Sequence, residues 1–466
     1  MNLQPVVKPL TQPPKDLALA SKSSPWSVIW KMIGIVLLLF MIAQTMILSL
    51  LGVVEGAPEL TVMSLICSVP LLVVFFFVRR PKLTHVVIAK PDEAGTTQHL
   101  LPNSRALFTP IPTRFEHHLI KDSPPLEMPP TSTLWIVFSI TVITAFLGLL
   151  PAMLSDNVGW LFLAVIVGVP AWLFGFSLPV HAWWAFSTRH FQLMTTKVEG
   201  ESMLIAGMLS TFPALVINSL LFPLLLILIG IESMDSGSIG ELLLLSVSAP
   251  VGEELCKAAF VLSLYKIIDS PKRGFQVGFS VGLGFALLEN LIYIMSSFGT
   301  GGAISYSMTT VMRGIGSIPG HAVWTGLSGV SIGWYLCTKR GIQPHMAKER
   351  DPTKWVVYDG NSGQIVDTER ELSNIGKKVR GWLYKPYDKI WSLPKHPVSG
   401  ISLAILGHAF WNGSLWLVSW LFIEQDIIVQ VLASLVWIGI LIVGLWVIGR
   451  EILASVMYLP SNIRYQ

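Results

Sequence analysis

Carboxylates, imidazoles and an ammonium group recur in the apolar second half of this 466-residue sequence, in four short clusters. They are Glu253-Glu254-x-x-Lys257, Glu289-Asn290, Arg313 with Pro319-Gly320-His321, and His408-x-x-x-Asn412. Hydrolysis of an amide needs an activated water, a proton donor for the leaving amine and a group that stabilises the oxyanion, and these residue types supply all three. Glu253 and Glu254 can act as base and acid while Lys257 holds one carboxylate charged. On a helix, Lys257 projects between them, about 40° from Glu253 and about 60° from Glu254. An ion pair that only fixed helix register would not need the second glutamate. Two histidines and a carboxylate, His321, His408 and Glu289, could instead ligate zinc and leave a position open for water. No H-E-x-x-H is present, so a metal site would have to be assembled from separate helices. The residues leave both chemistries open.

The elements that position these groups follow from composition. Hydrophobic residues make up 52% of the chain and charged residues 13%, with a mean hydropathy of +0.62, whereas a soluble domain carries about 25% charged residues. The expected fold is all-α, a polytopic membrane helix bundle. Runs of the roughly 20 apolar residues that cross a bilayer fall at 28–54, 60–78, 131–154, 158–184, 203–231, 242–268, 275–298, 308–336, 399–423 and 427–449, about ten transmembrane helices in all. The three cysteines, Cys67, Cys256 and Cys337, are scattered and predict neither a disulfide framework nor a thiolate metal site.

The connections test that count. One alternate set carries Glu55, Glu59, Asp156, Glu232, Asp235, Glu241, Glu424 and Asp426 without a Lys or Arg. The other collects Lys8, Lys15, Lys22, Arg79, Arg80, Lys82, Arg189, Lys272, Arg273, the segment Lys339 to Lys395, and Arg450. Basic residues mark the cytoplasmic side, so a multi-pass cell-membrane protein with both termini in the cytoplasm is expected. The net charge of +4 is then a statement about topology, and no nucleic-acid partner is expected. The first apolar run is too long for a secretory core and reads as a retained anchor.

The expected organisation is a tail at 1–27, a five-helix membrane region at 28–231 with a cytoplasmic loop at 79–130, a catalytic membrane region at 232–449 with a cytoplasmic loop at 337–398, and a tail at 450–466. The first loop, rich in Pro, Thr and His, reads as mostly irregular. In the second, Trp355 to Tyr358 and Gln364 to Val366 flank a turn-forming run and predict a small hairpin.

A charge at the centre of a lipid-facing helix costs about 2.5–3.5 kcal/mol, so such residues are expected to be buried, paired and functional. Lys31 and His181 lie near span ends, where snorkelling or interfacial placement suffices. Glu253, Glu289, His321 and His408 instead fall near mid-span on four antiparallel helices and predict one layer of polar groups. Gly274, Gly278, Gly282, Gly284, Gly316 and Gly320 would let those helices approach closely. Cys256 reads as a small apolar filler.

The four clusters in order, over about 240–415, resemble the PrsW family of intramembrane proteases, relatives of the CAAX prenyl endopeptidases. The resemblance implies an enzyme, an intramembrane protease of metallo or glutamate type, that cleaves a membrane-anchored protein or peptide such as an anti-sigma-factor-like regulator. It implies that Glu253 and Glu254 activate water, that His321 and His408 bind metal or polarise the carbonyl, and that Asn412 helps hold the oxyanion. Lys257, Glu289, Asn290 and Arg313 would support them. Glu289 stands where the CAAX relatives have a histidine, so their mechanism does not transfer at that position. Two other functions use similar residues. A proton-coupled secondary transporter places carboxylates and histidines at the midplane, although no inverted repeat is detectable here, and a non-catalytic scaffold could bind hydrophobic peptides.

Overall fold

Apolar runs of this length can satisfy their backbone in lipid only as helices, and the computed structural model places helices at each of the ten. It describes residues 24–79, 83–101, 105–121, 124–154, 158–342, 357–358, 365–366 and 374–461. In chain order the elements begin with α1 (Pro25–Val54), α2 (Pro58–Arg79), β1 (Leu83–Leu101), β2 (Arg105–Lys121), α3 (Thr131–Leu154) and α4 (Val158–His190). Next, α5 runs from Lys197–Val216 through a π-helical turn (Ile217–Leu221) into Phe222–Leu228. Likewise α6 runs from Ile239–Leu243 through a π turn (Leu244–Ser248) into Ala249–Ser263.

The helical run that opens at Pro271 is two spans. Gly301 (φ −156°) and Gly302 (φ +53°) break it, and the positive φ favours glycine. We call the part before this turn α7 and the part after it α8; α8 passes through a third π turn (Arg313–Ser317) into Ile318–Arg340. The two arms pair antiparallel. A Cβ on Gly274, Gly278 or Gly282 would lie 2.4, 2.3 and 2.3 Å from the carbonyl oxygens of Gly329, Thr325 and His321, so the backbones touch where the sequence predicts small residues. On its other face, a Cβ on Gly284 would lie 1.9 Å from the carbonyl of Leu204 in α5. Every residue of α7 from Pro271 to Leu288 is buried, including Lys272, Arg273 and Gln276 near its start. The chain closes with α9 (Asn374–Leu383), α10 (Pro397–Leu421) and α11 (Ile427–Val456).

Among the described residues, eight helical stretches are long and apolar enough to cross a membrane; one of them, Pro271–Arg340, is the α7–α8 hairpin. Counting that hairpin as two and adding α6, whose Glu253, Glu254 and Lys257 lower its hydropathy, gives the ten expected spans. The helices overrun several predicted limits because they extend past the apolar core. Thus α11 continues to Val456, through the first residues assigned to the C-terminal tail.

Three local expectations change. The loop after α2 is not mostly irregular: β1 and β2 pair antiparallel from Leu83↔Lys121 to Leu101↔Arg105. Its run Leu83-Thr84-His85-Val86-Val87-Ile88 suits a strand. The register shifts just after Pro91, which cannot donate to the ladder. Lys31 does not snorkel; its Nζ donates to Glu201 Oε2 at 2.5 Å, tying α1 to α5. His181 is fully buried, its Nδ1 2.7 Å from the Ser177 carbonyl oxygen. In the later loop, Val357–Tyr358 pairs with Ile365–Val366 as expected; the rest of that hairpin lies outside the described residues.

Candidate active site and metal centre

Each π turn stands two residues before a proline: Pro223 in α5, Pro250 in α6 and Pro319 in α8. Proline lacks an amide donor and its ring crowds the preceding turn, and a π turn absorbs that conflict by widening the helix. Side chains from other helices bind carbonyls at or beside the widened turns. Asn412 Nδ2 donates to Leu245 O at 3.2 Å, Trp183 Nε1 to Gly314 O at 3.0 Å, and Trp446 Nε1 to Ile315 O at 2.9 Å. The Glu253–Lys257 cluster and His321 lie within the first three turns beyond these irregularities, on segments fixed from outside their own helix.

The polar groups meet. Lys257, fully buried, donates from Nζ to Glu254 Oε1 at 2.8 Å and to Glu253 Oε2 at 3.2 Å, in the position between the carboxylates that helical spacing predicts. Its Nζ also lies 2.9 Å from His321 Nδ1 and 3.8 Å from the Phe285 ring centroid. His321 Nε2 is 3.0 Å from Glu289 Oε2, which Arg313 holds from its far side at 2.7 Å. Arg313 Nε donates to Asn290 Oδ1 as well. His408 Nδ1 is 3.1 Å from Glu254 Oε1, while its Nε2 lies 4.0 Å from Glu253 Oε2. The rings of His321 and His408 meet edge to face, centroids 5.1 Å apart.

The two adjacent glutamates have separate environments. Glu254 has no exposed side chain and is fully engaged by Lys257, His408 and Thr325, whose hydroxyl donates at 3.1 Å. Glu253 keeps 12% of its side chain exposed and lines a cavity of about 430 Å³. Glu289, Arg313, His321, His408 and Asn412 line the same cavity. It reaches Gly237 and Glu241 at the α5–α6 connection and Ile423 and Gln430 at the α10–α11 connection. Glu254, Lys257 and Asn290 form its supports. Cys256 packs with Ala214 and Phe285, as a small apolar residue would.

Sequence reasoning missed four contributors. Thr325 stands four residues after His321, and Tyr293 four after Glu289; Tyr293 lines the cavity, and its ring lies 4.2 Å from the Arg313 guanidinium carbon. Trp324 stacks on His408 at 5.1 Å, and Ser317 lines the cavity from the third π turn. The i, i+4 rule, applied from the histidine and the glutamate, would have found Thr325 and Tyr293.

One donor set stands out. Atoms of Glu253, His321 and His408 lie within 4.8 Å of one another, a group that could hold a metal ion. This group contains Glu253, whereas Glu289, the carboxylate expected from the sequence, contacts Arg313 and His321. Residues 202–349 match the family model of the PrsW family intramembrane metalloproteases. The match spans about a third of the chain and includes Glu253, Glu254, Lys257, Glu289, Asn290, Arg313 and His321; His408 and Asn412 lie beyond it. Comparison with curated proteins and with solved structures gives no match. Two imidazoles and one carboxylate are a known donor set for a catalytic zinc with an open position. The hydrogen bond that Glu254 accepts from Nδ1 of His408 is the outer support that metal-binding histidines use. The residues fit a metal, and an intramembrane peptidase is the activity that the match supports.

Proposed function

We propose that this protein hydrolyses a peptide bond of a membrane-anchored protein or peptide inside the 430 Å³ cavity. The observation that carries the reading is the pair formed by Glu253 and His408. Their facing atoms are 4.0 Å apart at the cavity wall, a gap that one water can bridge. Glu253 accepts a proton from that water as its oxygen attacks the scissile carbonyl. The proton then passes to the amine nitrogen as the C–N bond breaks. Glu254 and Lys257 keep His408 and Glu253 oriented from behind. Arg313, Tyr293 and Asn412 offer donors toward the carbonyl oxygen as it gains charge. In the metal-dependent form Glu253, His321 and His408 would hold the ion, and its Lewis acidity would activate the water in place of proton transfer to Glu253.

In this proposal the protein is a multi-pass cell-membrane enzyme with both termini cytoplasmic, because the basic connections mark that side. The cavity mouth at Gly237, Glu241 and Gln430 then faces outward. An anti-sigma-factor-like regulator is one substrate of the right kind. The test is cleavage of a tagged single-span protein in cells that carry Glu253→Gln or His408→Ala. Uncleaved substrate should accumulate at unchanged enzyme level; normal cleavage by the Glu253→Gln protein would overturn the reading. Loss of cleavage with a chelator, restored by zinc, would select the metal-dependent form over the glutamate form.

A further inference from the structure

A second cavity of about 750 Å³ lies away from the active site, at the basic ends of the helices. Its walls are the start of α3, the ends of α4 and α11, the back of α8 and the helix α9. The deep part is apolar and aromatic: Trp183 and Trp446 face each other with centroids 5.4 Å apart, and Pro319 and Val323 form the floor. The shallow part carries Arg189, Lys385 and Arg450 and no carboxylate lining. Carbonyls of Met128 and Pro129 orient Arg189 without neutralising it. Glu451, behind the wall, pairs with both Lys385 and Arg450, so the rim keeps an excess of positive charge. Over this rim lies α9, Asn374–Leu383, whose sequence holds Lys377, Lys378 and Arg380 and no acidic residue. A basic amphipathic helix above an apolar slot, at the depth where indoles mark the interface, matches one kind of occupant.

We infer that this cavity binds an anionic phospholipid of the leaflet at the basic end, one acyl chain lying against the paired rings of Trp183 and Trp446 and the phosphate at Lys385 and Arg450. Charge complementarity selects the headgroup: each basic residue near an anionic lipid surface strengthens binding roughly fivefold. The slot selects the chain, because a soluble phosphate would leave its apolar length unfilled. Trp183 and Trp446 also hold the π turn that carries Arg313, so the lipid would brace the reverse side of the catalytic helix. The inference does not depend on the peptidase reading, and its readout needs no activity.

The test is native mass spectrometry of the full-length protein, released from detergent with equal amounts of dioleoylphosphatidylglycerol and dioleoylphosphatidylcholine. The wild type should retain the phosphatidylglycerol with roughly tenfold preference. The Lys385→Gln/Arg450→Gln protein should lose most of that preference. Gly449→Leu should lose the bound lipid while keeping every charge: a Cβ at Gly449 meets only Val323 Cγ2, at 3.9 Å, so a longer side chain projects into the slot. Gly449→Val is a smaller plug should the leucine protein not fold. Equal retention of the two lipids by the wild type, an unchanged preference in the charge variant, or full retention by a folded Gly449 variant would each overturn the inference.

Discussion

Two helical hairpins of similar length have opposite surroundings. In α1–α2, the second helix buries only Ser64 and turns Val69, Phe76 and Phe77 outward. In α7–α8, α7 buries eighteen consecutive residues, Pro271 to Leu288, and the arms touch backbone to backbone at glycines. In the first hairpin α2 is exposed along its length, while α1 is held by apolar contact and by the Lys31–Glu201 ion pair. The second sits at the centre, where contact between backbones leaves room for Glu289, Arg313 and His321 to meet Lys257 and His408. Without a hydrophobic drive between helices inside a bilayer, close packing and polar contacts must hold such a core together. The difference teaches that the most polar spans are central because their polar groups need partners.

The largest expected break in this contrast is functional. Glu253→Gln should lower the rate of cleavage by about 10²–10⁴-fold with the unfolding midpoint little changed, measured on purified enzyme in bilayers. Lys257→Met comes next: it leaves two carboxylates facing His321 and His408 without their cation. The expected loss is about 3–5 kcal/mol of stability, read from denaturant unfolding in detergent. Gly278→Val should cost about 1–3 kcal/mol, since its Cβ would fall 2.3 Å from a carbonyl oxygen. The smallest effect sharpens the comparison from the other side. Gly34→Ala in α1, where a Cβ meets nothing within 4 Å, should change stability by no more than about 0.5 kcal/mol.

The spans were legible in the sequence because lipid imposes length and hydropathy, and the cluster was legible because charged residues are costly there. Helical spacing alone put Lys257 between Glu253 and Glu254. The distinction between those glutamates was not legible, because it depends on Thr325 and His408 arriving from other helices to enclose Glu254. That Glu253 groups with both histidines while Glu289 contacts Arg313 is likewise a tertiary outcome that no spacing encodes. The π turns left a trace in Pro223, Pro250 and Pro319, yet proline alone does not say whether a helix kinks, breaks or widens. The β1–β2 hairpin was obscured by Pro91 and the Thr- and His-rich composition around it, which hid strand-forming residues such as Val86, Val87 and Ile88.

The convergence of α8 and α10 on one cavity can be measured directly by thiol cross-linking. His321→Cys and His408→Cys, combined in a protein whose Cys67, Cys256 and Cys337 are replaced, should be joined by a short bis-thiosulfonate reagent, because the native rings stand 5.1 Å apart. A folded double-cysteine protein whose helices remain unlinked after complete exposure to the reagent would contradict the shared site.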